Sequence, residues 1–250
     1  MVRRGRRWYV NSDSFTDCTM TTTSGWQVFD AMRPVLTCTY SFGPGDANAL
    51  AVGGKDGLLV FSPPCRIPAQ VFDELQSYGP VRALVATNAF HHLGIPKWKA
   101  RFPDAQVFAP AQAVARVSQK TGLAVRPLAE AAEIAGGGLD LVDMPHYKTG
   151  ELLLKIDTPR GLAWYVTDVI MNLRELPANP IARIMFKLSR SAPGLRFNNI
   201  APVFMMSDKR ALRRWLADEW LKSPPRWLIP AHGEVADMSG PQAARALFAQ

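Results

Sequence analysis

The sequence predicts one α/β (α+β) domain of four layers, in which two β-sheets stack together and helices cover each sheet on its outer side. The first observation is that strand-like apolar runs and amphipathic helical segments are mixed in both halves of the chain. The second is that 48% of the 250 residues are hydrophobic, which is enough to bury a large core. The chain contains no internal repeats.

In the first half of the domain, turn residues bound short apolar runs, and glycine ends several amphipathic runs. The runs that predict strands are Ala47–Val52, Gly57–Phe61, Val81–Ala86 and Gln106–Ala109. The runs that predict helices are Ala69–Tyr78, Pro96–Phe102 and Ala111–Lys120.

The second half begins with three strand-like runs and ends with helices. The predicted strands are Leu139–Met144, Leu152–Ile156, Leu162–Thr167 and Trp227–Ile229. A helix capped by Ser207 is expected to run to Lys222, and a final helix covers Pro241–Ala249. The stretch between Asp168 and Met206 is rich in Pro, Asn and Arg and is predicted to be irregular.

The first 33 residues differ in composition from the rest. They are polar, rich in Thr and Ser, and have no amphipathic period. Residues 1–33 are therefore predicted to be a poorly structured N-terminal extension. Residues 34–250 are predicted to form the single domain.

Charge and cysteine content bear on partners and compartment. The net charge of +8 is typical of a solubility surface, or of a protein that binds nucleic acid, anionic lipid or anionic substrates. No run reaches the roughly 18 apolar residues of a membrane span. Cys18, Cys38 and Cys65 include no CxxC pair, which favours a reducing compartment. We therefore expect a soluble, cytoplasmic protein.

Polar residues with metal-binding chemistry follow several predicted strands. The four histidines and one aspartate that do so are His91, His92, His146, Asp168 and His232. Imidazole and carboxylate are the ligands that zinc prefers. Any one of these histidines taken alone is also explained as a structural residue beside an apolar strand. Their common placement at strand ends predicts a shared metal site.

The order of these motifs resembles the metallo-β-lactamase superfamily over roughly residues 45–235. Residues 87–94, which read TNAFHHLG, stand where that family has its HxHxDH loop. The segments MPHYKTG at 144–150, Thr167-Asp168 and IPAHG at 229–233 resemble the later histidine, aspartate and histidine motifs. The resemblance implies an αββα metallo-β-lactamase-like sandwich from a divergent branch.

The sequence departs from the family pattern at several positions. Thr87 and Ala89 replace two histidines of the loop, and His91 replaces its aspartate. The resemblance then implies one metal ion rather than two. Its proposed ligands are His92, His146, Asp168 and His232, with His91 as a further ligand or an acid/base group. Zinc is the expected ion, although iron and manganese accept the same ligands.

Three functions are compatible with the sequence. The first is a metal-dependent hydrolase in which His91 and Asp168 assist a metal-bound hydroxide that attacks an ester, lactone, amide or related bond of a small molecule. The second is a catalytically inactive binding or scaffold protein, suggested by the lost histidines. The third is a nucleic-acid-processing protein, suggested by the net charge of +8. Basic residues after Asp168 suggest an anionic substrate, or else a solvated loop: Arg174, Arg183, Lys187, Arg190 and Arg196.

Overall fold

The structure is a computed structural model that describes residues 20–21, 25–43, 45–200, 205–240, 243 and 247–248. Fifteen β-strands and six α-helices are formed by this part of the chain, together with two short 3₁₀ helices. No helix in these ranges is long and apolar enough to cross a membrane.

The larger sheet has eight strands, arranged in sequence order from β1 to β8. They are β1 (Met20–Thr21), β2 (Trp26–Asp30), β3 (Val35–Ser41), β4 (Asp46–Gly53), β5 (Leu58–Phe61), β6 (Val81–Val85), β7 (Gln106–Ala109) and β8 (Arg126–Pro127). Strands β1 to β5 pair antiparallel, and β5 to β8 pair parallel. Helices connect the parallel strands: α1 (Gln70–Gln76), α2 (Ile95–Arg101) and α3 (Val114–Thr121).

The smaller sheet has five strands in the order β15-β14-β11-β10-β9. They are β9 (Leu139–Asp143), β10 (Leu152–Ile156), β11 (Ala163–Val166), β14 (Trp227–Pro230) and β15 (Ala236–Asp237), and the short helix α4 (Ala132–Ala135) precedes them. Strands β11 and β14 pair parallel, so a long crossover joins them. The crossover contains β12 (Ile170–Leu173), α5 (Pro180–Leu188), β13 (Gly194–Phe197) and α6 (Lys209–Lys222).

Alternating side chains on the strands build three apolar layers. In β4, Ala49 and Ala51 face the helices outside the larger sheet, whereas Leu50 and Val52 face the smaller sheet. A strand buried on both faces must be apolar at every position, and β4 is apolar at all positions from 49 to 52. A third layer lies under α6, where Trp164 packs edge-to-face on Trp220 at 5.5 Å. The predicted four-layer architecture is confirmed.

Part of the predicted N-terminal extension, residues 1–33, belongs to the larger sheet. Residues 20–21 and 26–30 are strands of the larger sheet, and Trp26 is fully buried. The Trp26 indole N–H donates to the carbonyl of Val71 at 3.0 Å, which fixes this strand to α1. Residues 1–19 and 22–24 of the predicted extension lie outside the described residues.

The crossover was predicted to be irregular, but it contains regular structure. Strands β12 and β13 form an antiparallel hairpin, and α5 lies between them in the sequence. Helix α6 is capped by Asp208 rather than Ser207: its carboxylate accepts the N–H of Ala211 at 2.9 Å. The predicted final helix lies mostly outside the described residues.

Candidate metal centre

Three strand ends meet at one edge of the two sheets. His91 follows β6 in the larger sheet, and Asp168 and His232 follow β11 and β14 in the smaller sheet. One ligand atom from each of the three lies within 4.8 Å of the others. Asp168 Oδ1 is 3.1 Å from His232 Nε2, and Asp168 Oδ2 is 3.6 Å from His91 Nε2. The three side chains are 9–16% exposed, so water screens their interactions only partly.

The loop after β6 is shaped by Asn88. Its side-chain carbonyl accepts hydrogen bonds from the backbone N–H groups of Phe90 at 2.8 Å and His91 at 3.2 Å. This local turn fixes the direction in which His91 leaves the backbone. His91 Nδ1 is buried and has no hydrogen-bond partner among the residues that the structure describes.

The ring of His232 is oriented by a backbone carbonyl. Its Nδ1 lies 3.1 Å from the carbonyl oxygen of Asp46, and because a carbonyl can only accept, Nδ1 carries the hydrogen. The side chain of Asn48 fixes the surrounding loop, donating to the carbonyls of Pro230 at 2.9 Å and Gly233 at 2.7 Å. Nε2 of His232 is therefore directed at Asp168 as the ring nitrogen available to a cation.

Asp168 is held by a buried carboxyl group and an amide. Glu151 Oε1 accepts the backbone N–H of Asp168 at 2.8 Å. The Asn88 amide donates to Glu151 Oε2 at 2.9 Å and to Asp168 Oδ2 at 2.6 Å. Glu151 is fully buried. Burial and the neighbouring Asp168 together raise the pKa of Glu151 to about 8.

The electrostatics of the cluster favour a charged Asp168. Burial opposes its ionisation, but His91 and His232 outweigh burial and hold the pKa of Asp168 well below its usual range. Burial likewise acts to lower the pKa of His232, and the hydrogen bond to Asp168 outweighs it and raises that pKa. The carboxylate and the two rings thus form a site that favours positive charge between them.

The donor set fits a divalent metal ion. His232 Nε2 faces an Asp168 carboxylate oxygen at 3.1 Å, a contact that a proton on the ring satisfies and that a metal ion bound by both groups would equally satisfy. His91 Nε2 faces the other oxygen of the same carboxylate at 3.6 Å. Two imidazoles and one carboxylate are a ligand set found in catalytic zinc sites, which keep a fourth position for water or substrate.

The other two histidines lie outside this cluster. His92 Nδ1 donates to the carbonyl of Ala89 at 3.0 Å. Burial lowers the pKa of His92, and Arg116 and Lys120 add to that shift. His146 is exposed, in a turn where its φ is 64°. The structure therefore brings together His91, Asp168 and His232 from the predicted set, and it does not bring His92 or His146 to them.

Thr87 and Ala89 occupy the positions of the two lost histidines, and neither side chain is part of the cluster. Thr87 Oγ1 and Ser62 Oγ are 2.8 Å apart in the core, and the Tyr165 hydroxyl lies 3.2 Å from Ser62 Oγ. Ala89 is buried and offers no side-chain ligand.

A cavity of about 200 Å³ opens onto the cluster. Besides the three candidate ligands, its lining residues are aromatic or aliphatic: Tyr40, Phe42, Phe90 and Leu93. Phe42 packs edge-to-face on the His232 ring at 6.0 Å, and the Arg116 guanidinium lies 5.0 Å from the Phe90 ring. The cavity is thus a mostly apolar chamber whose lining includes the three candidate ligands.

Sequence reasoning did not assign the residues that support the ligands, namely Asn88, Glu151, Asp46 and Asn48. Glu151 had a usable signal, because it is an acidic residue directly before the wholly apolar start of β10. Asp46 had no sequence signal for its role, because it contacts His232 through its backbone carbonyl and not through its side chain.

No protein-family model matches the sequence, and no curated protein matches it in a sequence comparison. Solved structures do match it. A metallo-β-lactamase from Erythrobacter litoralis has 14% identity and a TM-score of 0.59, with 88% of this chain and 93% of that chain covered. One from Hirschia baltica has 12% identity and a TM-score of 0.57, with coverage of 89% and 96%. One from Pontibacter korlensis has 9% identity and a TM-score of 0.53, with coverage of 87% and 94%.

This chain has the metallo-β-lactamase fold. The αββα sandwich implied by the sequence resemblance is confirmed, and the low identities agree with a divergent branch. Within this metallo-β-lactamase fold, the candidate ligands lie where β6, β11 and β14 end. An identity of 9–14% carries the fold and not the reaction.

Proposed function

We propose that this chain is a metal-dependent hydrolase with one divalent ion held by His91, Asp168 and His232. The observation that carries the proposal is the convergence of three ligand atoms within 4.8 Å at the mouth of an apolar cavity. Zinc suits two imidazoles and a carboxylate, and iron or manganese accepts the same set.

A single ion is proposed because the residues for a second one are missing. Thr87 uses its hydroxyl within the core, and Ala89 has no donor atom. His146 is exposed and lies outside the cluster. Three protein ligands leave one position for water or substrate, which is the arrangement of a catalytic rather than a structural zinc site.

The proposed chemistry is hydrolysis of an ester, lactone, amide or related bond. A bound divalent ion supplies Lewis-acid polarisation of the carbonyl and makes water a stronger nucleophile near neutral pH. Asp168 presents Oδ1 to His232 at 3.1 Å and Oδ2 to His91 at 3.6 Å, so its carboxylate would hold the ion together with the two rings. Asn88 and Glu151 keep this carboxylate in one orientation. Asp46 does the same for the His232 ring.

The cavity favours a small substrate with an apolar part. Tyr40, Phe42 and Leu93 exclude water from the chamber beside the ligands. Arg116 stands behind Phe90 and attracts a substrate that also carries a negative charge.

The test compares the purified full-length protein with Asp168→Asn and His232→Ala, using Asp157→Asn as the exposed carboxylate control. Elemental analysis should give about one metal equivalent in the wild type and the control, and far less in the two site variants. A panel of esters, lactones and amides should then show hydrolysis that a chelator abolishes and added metal restores. Absence of metal after incubation with zinc, iron and manganese would sink the proposal.

The second candidate is a binding or scaffold protein that keeps the fold without catalysis. It is favoured by Thr87 and Ala89, which leave the site with fewer ligands than the family loop supplies. The two candidates separate on one result: a metal-loaded protein that hydrolyses no member of the panel supports the binding protein.

A further inference from the structure

Helix α5 presents three different faces. Asn179 caps it, its side-chain oxygen accepting the N–H groups of Ile181 at 3.0 Å and Ala182 at 3.1 Å. Ala182 and Phe186, one turn apart, are half-buried toward the protein. The apolar stripe, by which we mean the four large apolar side chains at i, i+3, i+4 and i+7, points to solvent. It consists of Ile181 (72% exposed), Ile184 (58%), Met185 (46%) and Leu188 (80%).

Beside the apolar stripe lies a row of cations. Arg183 and Lys187 are exposed and one turn apart on the third face of α5, and Arg190 follows the helix. None of the three forms an ion pair with a carboxylate in the part of the chain that the structure describes. Residues 176–207 contain four Arg or Lys and no Asp or Glu. The surface around α5 is therefore both apolar and strongly positive.

We infer that α5 is an interfacial helix that docks this protein on an anionic phospholipid surface. A short helix with a continuous apolar stripe and Lys or Arg beside it matches the requirements for lying in the headgroup region of a bilayer. Four exposed large apolar side chains on nine residues are unfavourable in water, and burial among acyl chains removes that cost. The charge of the segment selects anionic over neutral lipid.

A second copy of the chain is a poorer occupant of this surface. In an isologous dimer, the same row of cations would face itself across the interface. The segment has no acidic residue to pair with those cations, whereas phosphate headgroups supply the matching charge.

Helix α5 is joined directly to the candidate metal centre. The hairpin that carries it begins at Ile170, two residues after Asp168. The N–H of Asn172 donates to the carbonyl of His232 at 2.9 Å, and the carbonyl of Asn172 accepts the N–H of Glu234 at 3.0 Å. Docking through α5 thus fixes the β12–β13 hairpin to the membrane, and this hairpin also contacts the loop that carries His232.

The test is vesicle flotation with the full-length protein, using vesicles of phosphatidylcholine alone or mixed with phosphatidylglycerol. A chelator is present throughout, so that the result does not depend on the proposed metal. The wild type should float with the anionic vesicles, less so as salt rises from about 0.1 M to about 0.5 M, and not with the neutral ones. Ile184→Glu with Leu188→Glu, and separately Arg183→Glu with Lys187→Glu, should each weaken binding about tenfold or more.

The controls make the same changes on α6. Leu221→Glu alters an exposed leucine, and Arg210→Glu with Arg214→Glu reverses two exposed cations at the same spacing as Arg183 and Lys187. These variants should bind as the wild type does, and circular dichroism should show every variant folded. Three results would overturn the inference: no flotation of the wild type, equal flotation with neutral vesicles, or binding that survives both α5 variants. A concentration-dependent dimer that Ile184→Glu dissociates, without vesicle binding, would overturn it in favour of a second copy.

Discussion

Glu151 Oε1 accepts the backbone N–H of Asp168 at 2.8 Å, so the carboxyl group of one buried residue sets the position of a candidate metal ligand. Its other oxygen accepts the amide of Asn88, which itself donates to Asp168 Oδ2. Asp168 is therefore fixed at its backbone and at its carboxylate by the same small network. Loss of a contact that supports a metal ligand commonly lowers metal affinity about 10- to 100-fold.

The first prediction concerns Glu151→Gln. Both oxygens of Glu151 accept hydrogen bonds, and the amide nitrogen of glutamine cannot accept one, so either the Asp168 N–H or the Asn88 amide loses its partner. Measured by competition with a chromogenic chelator at about pH 9, where Glu151 with its pKa of about 8 is ionised, metal affinity should fall about 10- to 100-fold. Glu133→Gln, at an exposed position, is the control. An unchanged affinity in a folded Glu151→Gln protein would contradict this role.

The second prediction separates the two adjacent histidines. His91 Nε2 faces Asp168, whereas the His92 ring donates to the carbonyl of Ala89. His91→Ala should therefore lose most bound metal in elemental analysis, while His92→Ala and His146→Ala should retain it. Loss of metal in His92→Ala with retention in His91→Ala would mean that the loop rearranges to bring the other ring to the ion.

Local pattern predicted most of the central strands because they are apolar throughout. Gln106–Ala109 and Leu152–Ile156 have the predicted bounds. The hairpin β12–β13 was missed because its pairing and its contact with residues 232–234 connect distant parts of the chain. Strand β2 was missed for a related reason: its stability comes from the burial of Trp26 against α1, which no alternation within five residues reveals.

The candidate site was partly predictable. Strand ends predicted a shared site for five residues, because adjacent strands bring their ends to one edge: His91, His92, His146, Asp168 and His232. The structure brings three of them together, His91, Asp168 and His232. The choice between His91 and His92 depends on the turn that Asn88 makes with the backbone, and the sequence hypothesis favoured His92 as the ligand. The supporting carbonyl of Asp46 was not predictable, since every residue has one.

The third prediction concerns Gly233, which follows His232. Its φ is +109°, and an added Cβ would lie 1.9 Å from the carbonyl oxygen of Asn172. Gly233→Ala should therefore lower the free energy of unfolding by about 2 kcal/mol or more, measured by urea denaturation. Gly240→Ala is the matched control, because its added Cβ meets no other described residue within 4 Å apart from its chain neighbours, and it should change stability little. Equal stability of the two variants would show that the loop moves freely.

The fourth prediction concerns the ion pair that joins α6 to the smaller sheet. Glu219 Oε2 is 2.7 Å from Lys155 Nζ, and both side chains are 12–13% exposed. Hydrogen bonds from Lys155 and Lys222 lower the pKa of Glu219. Because its folded-state pKa is lowered, the stabilisation is fully present above the unfolded pKa of about 4.3 and is lost as pH falls through the folded value.

Glu219→Gln should therefore cost about 1 kcal/mol of unfolding free energy at neutral pH, and the difference from wild type should shrink below about pH 4. Urea denaturation of both proteins at neutral pH and below about pH 4 measures the difference in unfolding free energy under each condition. Glu130→Gln, which breaks the exposed pair with Arg126, should cost only a few tenths of a kcal/mol at either pH. If the Glu219→Gln difference were the same at both pH values, the ion pair would not be the source of the stabilisation, and the packing of α6 would carry it alone.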